Sequence, residues 1–241
     1  MKLLLDPFDT EIFKKNIYKL YLEKEKNGEI LESIKKIETG IVFCFTVFSV
    51  ENCSLLTEVG FKLISIRNTY KLDLNSYLKK SLGSFPEKYK ILSKKKGIKF
   101  LQKKDITQLA APIYKTSRYS RDKLLEKNKS RAIYTAWVSN SLFGSYANEA
   151  FLVFYQASAL GMITLKIKDG IGFIDLLGII KQYQNKGLAT YLLKKAVDYF
   201  KTQNINDILV TTEGENIPAN NFYQKNNFIL QNVELVYHKH I

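Results

Sequence analysis

Cysteine is nearly absent. Cys44 and Cys53 are the only two in 241 residues, too few for a disulfide framework, and each reads as a reduced, packed side chain rather than half of a redox pair. Long apolar runs are missing as well. The longest in the first half, Ile41 to Phe48, falls well short of the ~20 residues that span a bilayer, so it reads as a buried strand. The N-terminus has one positive charge and an apolar run, Leu3-Leu4-Leu5, too short for a signal peptide. A cytoplasmic protein is expected. The two histidines, His238 and His240, read as residues of a terminal tail or edge strand rather than as catalysts.

The composition is that of a folded, basic chain. An apolar content of 46% with 25% charged residues excludes disorder, and the length allows one large or two small domains. Lys and Arg number 37 against 23 Asp and Glu, a net charge of +14. Most of the excess is lysine, scattered through every segment and denser from Lys94 to Lys104, with no arginine-rich, zinc-finger or RNA-binding motif beside it. A solvated surface explains most of it. The rest fits attraction of small anionic substrates, and neither nucleic acid nor membrane is expected as a partner.

The chain divides near residue 85, giving an N-terminal α+β lobe (1–85) and a larger domain (86–241). In the lobe, residues 2–22 alternate around the Asp6-Pro7 turn, a short helix is expected at 29–36, a strand at 41–48 and a helix at 52–61. Strands follow at 62–66 and 70–74. Residues 75–97 read as a connector and 98–101 as a strand. A helix then opens with Asp105 placed as its cap. After a polar loop at 116–122, a helix from 131 to 143 carries Ile133, Tyr134, Trp137, Val138 and Leu142. Strands at 150–157, 160–167 and 171–179 make a meander.

The third of these strands leads into the most informative stretch. Its apolar run ends at Ile180, a polar turn Lys181 to Lys186 follows, and Gly187-Leu188-Ala189 opens an amphipathic helix. The first turn of a helix leaves N–H groups unpaired and carries partial positive charge, so small residues here let phosphate oxygens reach the backbone. A dinucleotide-binding reading of Gly170-x-Gly172 fails, because a strand and not a helix follows.

Gln184-x-x-Gly187-x-Ala189 matches the Q/R-x-x-G-x-G/A acyl-CoA loop of the GNAT superfamily of N-acyltransferases. The segment Asn216-x-x-Ala219-x-x-Phe222-Tyr223-x-Lys225-x-x-Phe228 resembles that superfamily's second hallmark, with Asn227 where glycine is usual. The resemblance implies an α+β GNAT fold with a mixed, mainly antiparallel sheet flanked by helices, and the N-terminal lobe reads as a degenerate GNAT-like half or as an ordinary α+β lobe. It also implies acyl-CoA as co-substrate with no metal, pantetheine bonded to backbone near Leu177 and Ile179, and pyrophosphate held by N–H groups of Gln184, Asn185, Lys186, Gly187, Leu188 and Ala189. Tyr223 would be the acid facing the departing thiolate, or a core aromatic. Asn216 is a CoA contact or a helix cap, and Asp175 a base or a structural carboxylate.

The Phe8-Asp9-Thr10-Glu11-Ile12-Phe13 opening, the Ser117-Arg118-Tyr119 loop and the helix with Tyr134 and Trp137 resemble the TDP-fucosamine acetyltransferase family and related enzymes that acylate dTDP-linked amino-deoxysugars. That resemblance implies Arg118, Tyr119, Arg121, Tyr134 and Trp137 as acceptor contacts, through phosphate pairing and thymine stacking, although core packing and surface solvation also account for them. Other classes stay open: a protein or peptide N-acetyltransferase, or a non-catalytic acyl-CoA- or nucleic-acid-binding module. The exposed edge expected of the C-terminal sheet allows a homodimer.

Overall fold

The computed structural model describes residues 2–22, 27–75 and 84–241. After β1 (Lys2–Leu5), the Asp6 carboxylate accepts the Asp9 N–H at 3.0 Å and Pro7 takes the first helical position. A side-chain acceptor and a preset φ both favour a helix start, so the expected turn becomes α1 (Pro7–Phe13). Then come β2 (Ile17–Leu22), α2 (Asn27–Lys35), β3 (Ile41–Val47), α3 (Val50–Glu58) and β4 (Lys62–Asp73). The two strands expected at 62–74 are one, because β4 is paired on both sides, by β10 (Ile229–His240) and by β9 (Asp207–Glu213).

The connector expected over 75–97 includes residues 76–83, which lie outside the described residues. Its end differs from expectation: β5 (Tyr89–Ser93) pairs with β6 (Glu149–Tyr155), and α4 (Lys94–Gly97) follows. Ile98–Phe100 is a 3-10 turn rather than a strand, closed by Leu101 N–H donating to the Ile98 carbonyl at 3.3 Å. Asp105 is not the cap of α5 (Lys103–Tyr114) but its third residue, where its carboxylate accepts the N–H of Gln102 at 2.8 Å. That is the reciprocal half of a capping box. The expected loop at 116–122 contains the one-turn α6 (Arg118–Arg121), capped by Ser117, and α7 (Lys127–Phe143) follows. β7 (Ser158–Lys168), β8 (Ile171–Ile179), α8 (Leu188–Thr202), β9, α9 (Ile217–Lys225) and β10 complete the chain.

Among the described residues the ten strands form one mixed, mainly antiparallel sheet in the order β1-β2-β3-β10-β4-β9-β8-β7-β6-β5, parallel at β2/β3 and β8/β9. Helices cover both faces. α1, α5 and α7 share one core with Phe43, Phe45, Met162 and Leu176. On the opposite face α8 packs over the β7–β9 half and α2 and α3 over β2, β3 and β10.

β10 therefore lies inside the sheet, between two strands of the N-terminal segment, which corrects two expectations. The C-terminal strand is not an edge, and His238 is 1% exposed. Its ring stacks on Phe43 at 4.0 Å between centroids, and its Nδ1 lies 2.8 Å from the Asp122 carboxylate, which also meets Nε2 of His240 at 2.8 Å. Burial drives His238 down to about 4, against the pull of Asp122. Burial also works to raise Asp122, but the two imidazole hydrogen bonds hold it well below the usual carboxylate range.

A second buried chain ties α1 to α6. The Tyr119 hydroxyl donates to Asp9 Oδ2 at 2.6 Å and accepts from Arg118 Nη2 at 2.7 Å. Arg118 is 8% exposed, its guanidinium 4.3 Å from the Tyr119 ring centroid and within 6 Å of Phe43 and Phe45. Removing one member leaves buried charges short of a partner, which is expensive. Tyr119→Phe should destabilise the fold by about 2 kcal/mol, read as a shift in the urea midpoint at unchanged slope.

His238 gives a pH prediction. A histidine of the unfolded chain titrates near ~6.5 and this one near about 4. The neutral ring's contribution is thus fully present above the unfolded value and is lost as pH falls through that window, by at most about 1.4 kcal/mol per unit. Wild type should lose stability between pH 7 and 5 by more than His238→Asn, which keeps an N–H for Asp122 and cannot titrate.

Candidate active site

The site is built around an irregularity in β8. In the pairing of β7 with β8, Thr164 faces Leu176 and Leu165 faces Ile174, leaving Asp175 as one extra residue. This is a β-bulge, which reverses the side-chain alternation beyond it. The reversal is visible at two glycines: a Cβ on Gly172 would meet the Phe200 ring of α8 at 2.7 Å, whereas one on Gly178 would meet Ile113 of α5 at 2.8 Å. Ile174 accordingly packs with the α8 core and Leu176 with the α5–α7 core. Asp175 and Leu176 thus both project toward α7, and Leu176 N–H is satisfied at the bulge by the buried Thr164 hydroxyl at 3.0 Å.

Pairing of β8 with β9 stops at the same place. Gly172, Phe173 and Ile174 pair with Ile208, Leu209 and Val210, and the strands then splay. Ile180 N–H donates to Leu160 at 2.8 Å, so by antiparallel alternation the backbone of Gly178 faces β7 while Leu177 and Ile179 turn their polar groups to the open side. Gln184 Nε2 bonds the Ile179 carbonyl at 2.9 Å and folds the following turn back onto the strand. That turn takes left-handed backbone at Asn185 (φ 60) and Gly187 (φ 76) before α8 starts. Among the described residues the N–H groups of 185–189 have no acceptor, so a phosphate-sized anion would find a ring of free donors at a helix start.

On the α7 face, Trp137 Nε1 donates to Asp175 Oδ2 at 2.8 Å. Burial pushes the Asp175 carboxyl up to about 6, against the Trp137 hydrogen bond and the positive charge of Lys166, both of which pull it down. Tyr134 is buried and stacks on Trp137 at 5.6 Å. Tyr146 meets Trp137 edge-on at 6.2 Å and carries Lys166 Nζ 4.1 Å from its ring centroid. The sequence reading missed Tyr146 and Lys166. The period of β7 places Lys166 on the Met162 face, the only signal available for it, while Tyr146 lies on an irregular segment.

Tyr223 lies on the opposite face. It is 4% exposed in the core that also holds Ile174, Ile179 and Leu188, edge-on to Phe222 and Phe228 at 5.4 Å each. Burial pushes its hydroxyl well above the usual tyrosine range. Asn216 is the cap of α9: its Oδ1 accepts Ala219 N–H at 3.4 Å and its Nδ2 reaches Thr212 Oγ1 at 3.3 Å. Asn220, which the sequence reading passed over, anchors the same turn by accepting from Asn68 and Tyr70 and donating to the carbonyls of Glu213, Gly214 and Asn216. Asn227 adopts the left-handed φ of 68 expected where glycine is usual. The residues expected as acceptor contacts separate. Tyr134 and Trp137 gather at Asp175, Arg118 and Tyr119 are interior rather than on a solvated loop, and Arg121 sits 3.5 Å from Glu215.

A mixed sheet splayed between two parallel strands, with a donor-rich turn opening the helix after the first, is the arrangement of the GNAT fold. Residues 109–228, just under half of the chain, match the model of the acetyltransferase (GNAT) family. Among curated relatives, streptothricin acetyltransferase A of Bacillus subtilis (strain 168) is 28% identical over 45% of this chain and 66% of its own. The spore coat polysaccharide biosynthesis protein SpsD of the same organism is 23% identical over 55% of this chain and 46% of its own. The chain thus spans about half to two thirds of the length of these two relatives. A GCN5-related N-acetyltransferase from Kribbella flavida shares the fold with a TM-score of 0.59 at 14% identity, over 93% of this chain and 81% of that one. No helix among the described residues is long and apolar enough to cross a membrane.

Trp137→Phe removes a donor to the ionised carboxylate, so it should raise the Asp175 carboxyl above about 6. A side-chain carboxyl carbon titration by NMR reads that shift without any substrate.

Proposed function

We propose that the protein transfers an acyl group, acetyl or somewhat longer, from acyl-CoA to the amino group of a dTDP-linked amino-6-deoxyhexose by direct attack in a ternary complex. The observation that carries the reading is the aperture between β8 and β9, with free turn N–H groups on one side of the sheet and Asp175 on the other.

In this reading the N–H groups of residues 185–189 hold the pyrophosphate, that of Gln184 being bonded to Lys181 at 3.3 Å, and the backbone of Leu177 with the N–H of Ile179 holds the pantetheine. The thioester carbonyl then reaches the aperture beside the bulge. The acceptor enters from the α7 face, with Tyr134 and Trp137 as its wall. Asp175 takes the ammonium proton, directly or through water. Tyr223 serves the sulfur leaving on the other face as a hydrogen-bond donor. A tyrosine near ~10 giving a proton to a thiol near ~8.5 is uphill by about 2 kcal/mol, and burial of Tyr223 widens that gap.

The sugar acceptor is supported by the likeness to SpsD, whose name places it in polysaccharide biosynthesis. A second acceptor, streptothricin, is favoured by the likeness to streptothricin acetyltransferase A.

Thiol release from acetyl-CoA and a longer acyl-CoA, offered with dTDP-3-amino- and dTDP-4-amino-6-deoxyhexoses, streptothricin and a lysine-rich peptide, tests both readings. Turnover is expected with one dTDP-sugar. Asp175→Asn should lower kcat/KM by about 10²- to 10⁴-fold and remove the acidic limb of its pH profile near about 6, and Tyr223→Phe should lower kcat. Turnover of the peptide alone would sink the sugar assignment.

A further inference from the structure

Four half-exposed side chains, Asp175, Trp137, Tyr146 and Lys166, share the α7 face at the bulge, while Tyr134, Val138 and Leu176 beside them are buried. Two of the four have opposite charge, and their partners differ. Asp175 is held by the Trp137 indole. Lys166 is held by the face of Tyr146, with Nζ 4.1 Å from the ring centroid. None of the ion pairs formed among the described residues uses Lys166.

Three of the four arginines contrast with it, while Arg131 of α7 lies over Tyr114 at 5.9 Å from the ring centroid. Arg67 is paired with Glu234 at 2.9 Å, Arg121 with Glu215 at 3.5 Å, and Arg118 is interior and bonded to the Tyr119 hydroxyl. An aromatic face fixes an ammonium in position without neutralising it. Lys166 therefore keeps its charge available to a ligand, at a place set by Tyr146. The register of the sheet puts Lys166 opposite Phe173, two residues before Asp175, so the cation and the carboxylate stand side by side on one face.

We propose that Lys166, positioned by Tyr146, is a specificity-determining residue that binds a phosphate group of the acceptor while Asp175 engages its amine. The ligand class is a molecule carrying both a primary amine and a phosphate. This rests on the acyl-transfer reading above and deepens it, because it assigns the reading of the acceptor's anion to β7 rather than to Arg118 or Arg121.

The test compares one amino sugar in two forms, a 4-amino-4,6-dideoxyhexose as its dTDP ester and as its neutral methyl glycoside, using thiol release from acetyl-CoA. The readout is the ratio of kcat/KM values for the two acceptors. Wild type should favour the ester, Lys166→Met should cut the ratio by about five- to tenfold, and Lys166→Arg should preserve most of it. Tyr146→Leu should lower the ratio in the same direction, since the cation loses its seat. A ratio unchanged in Lys166→Met, or one that falls equally in Lys166→Arg and Lys166→Met, overturns the proposal while leaving acyl transfer intact. Binding of acetyl-CoA with no thiol release from either acceptor, from the dTDP-3-amino sugar or from streptothricin would instead overturn the acyl-transfer reading, and the proposal with it.

Discussion

One extra residue in β8 determines the rest of the site. A strand that kept its alternation through residues 171–179 would present Asp175 and Leu177 on one face, leaving donor-side and acceptor-side groups mixed. With the bulge, Leu177 and Ile179 line the α8 core and Asp175 the α7 face. The bend also coincides with the last pairing to β9 at Ile174, as expected of a device that increases local twist and interrupts a ladder. The aperture, the separation of Asp175 from Tyr223 and the open backbone of Leu177 and Ile179 are consequences of that single insertion.

The aperture needs a rigid frame, which comes from strands far apart in sequence. β10 runs between β3 and β4, so the last residues of the chain complete the sheet made by the first. At that junction the interior is polar: Asp122 with His238 and His240, and Arg118 with Tyr119 and Asp9. Buried charges of this kind add little net stability compared with apolar packing, but they tolerate only one arrangement of their partners. Their arrangement specifies how α1, α6 and β10 meet, and so the position of the wall that faces Asp175.

Much of the donor side was legible in the sequence because backbone conformation dictates residue type there. Asn185, Gly187 and Asn227 each take left-handed φ, which few residue types tolerate, so the motif and the geometry carry the same information. The acceptor side was less legible. Asp175 was reached through the resemblance, as a base or a structural carboxylate, but the bulge that turns it toward α7 leaves no local sign in an apolar strand. Arg118 read as an acceptor contact or a solvated residue, since charge is usually exposed, whereas long-range stacking on Phe43 and Phe45 places it inside the fold. His238 read as a tail for the same reason: the strands that enclose it lie more than 160 residues away in the chain. β5 was hidden in a lysine-rich stretch, where its apolar face becomes meaningful only against β6.

The same face also explains how a half-buried carboxylate could serve as the base of the proposed reaction. Burial alone would favour the protonated acid, and an acid that is already protonated cannot accept a proton from an ammonium. Trp137 and Lys166 oppose burial from two directions, one by a hydrogen bond to the charged form and the other by charge. With the carboxyl raised to about 6, the ionised form still prevails at neutral pH, yet the group is more basic than an exposed aspartate. The tryptophan and lysine beside the bulge therefore set the basicity of Asp175, and in the proposed reading they act on the reaction through it.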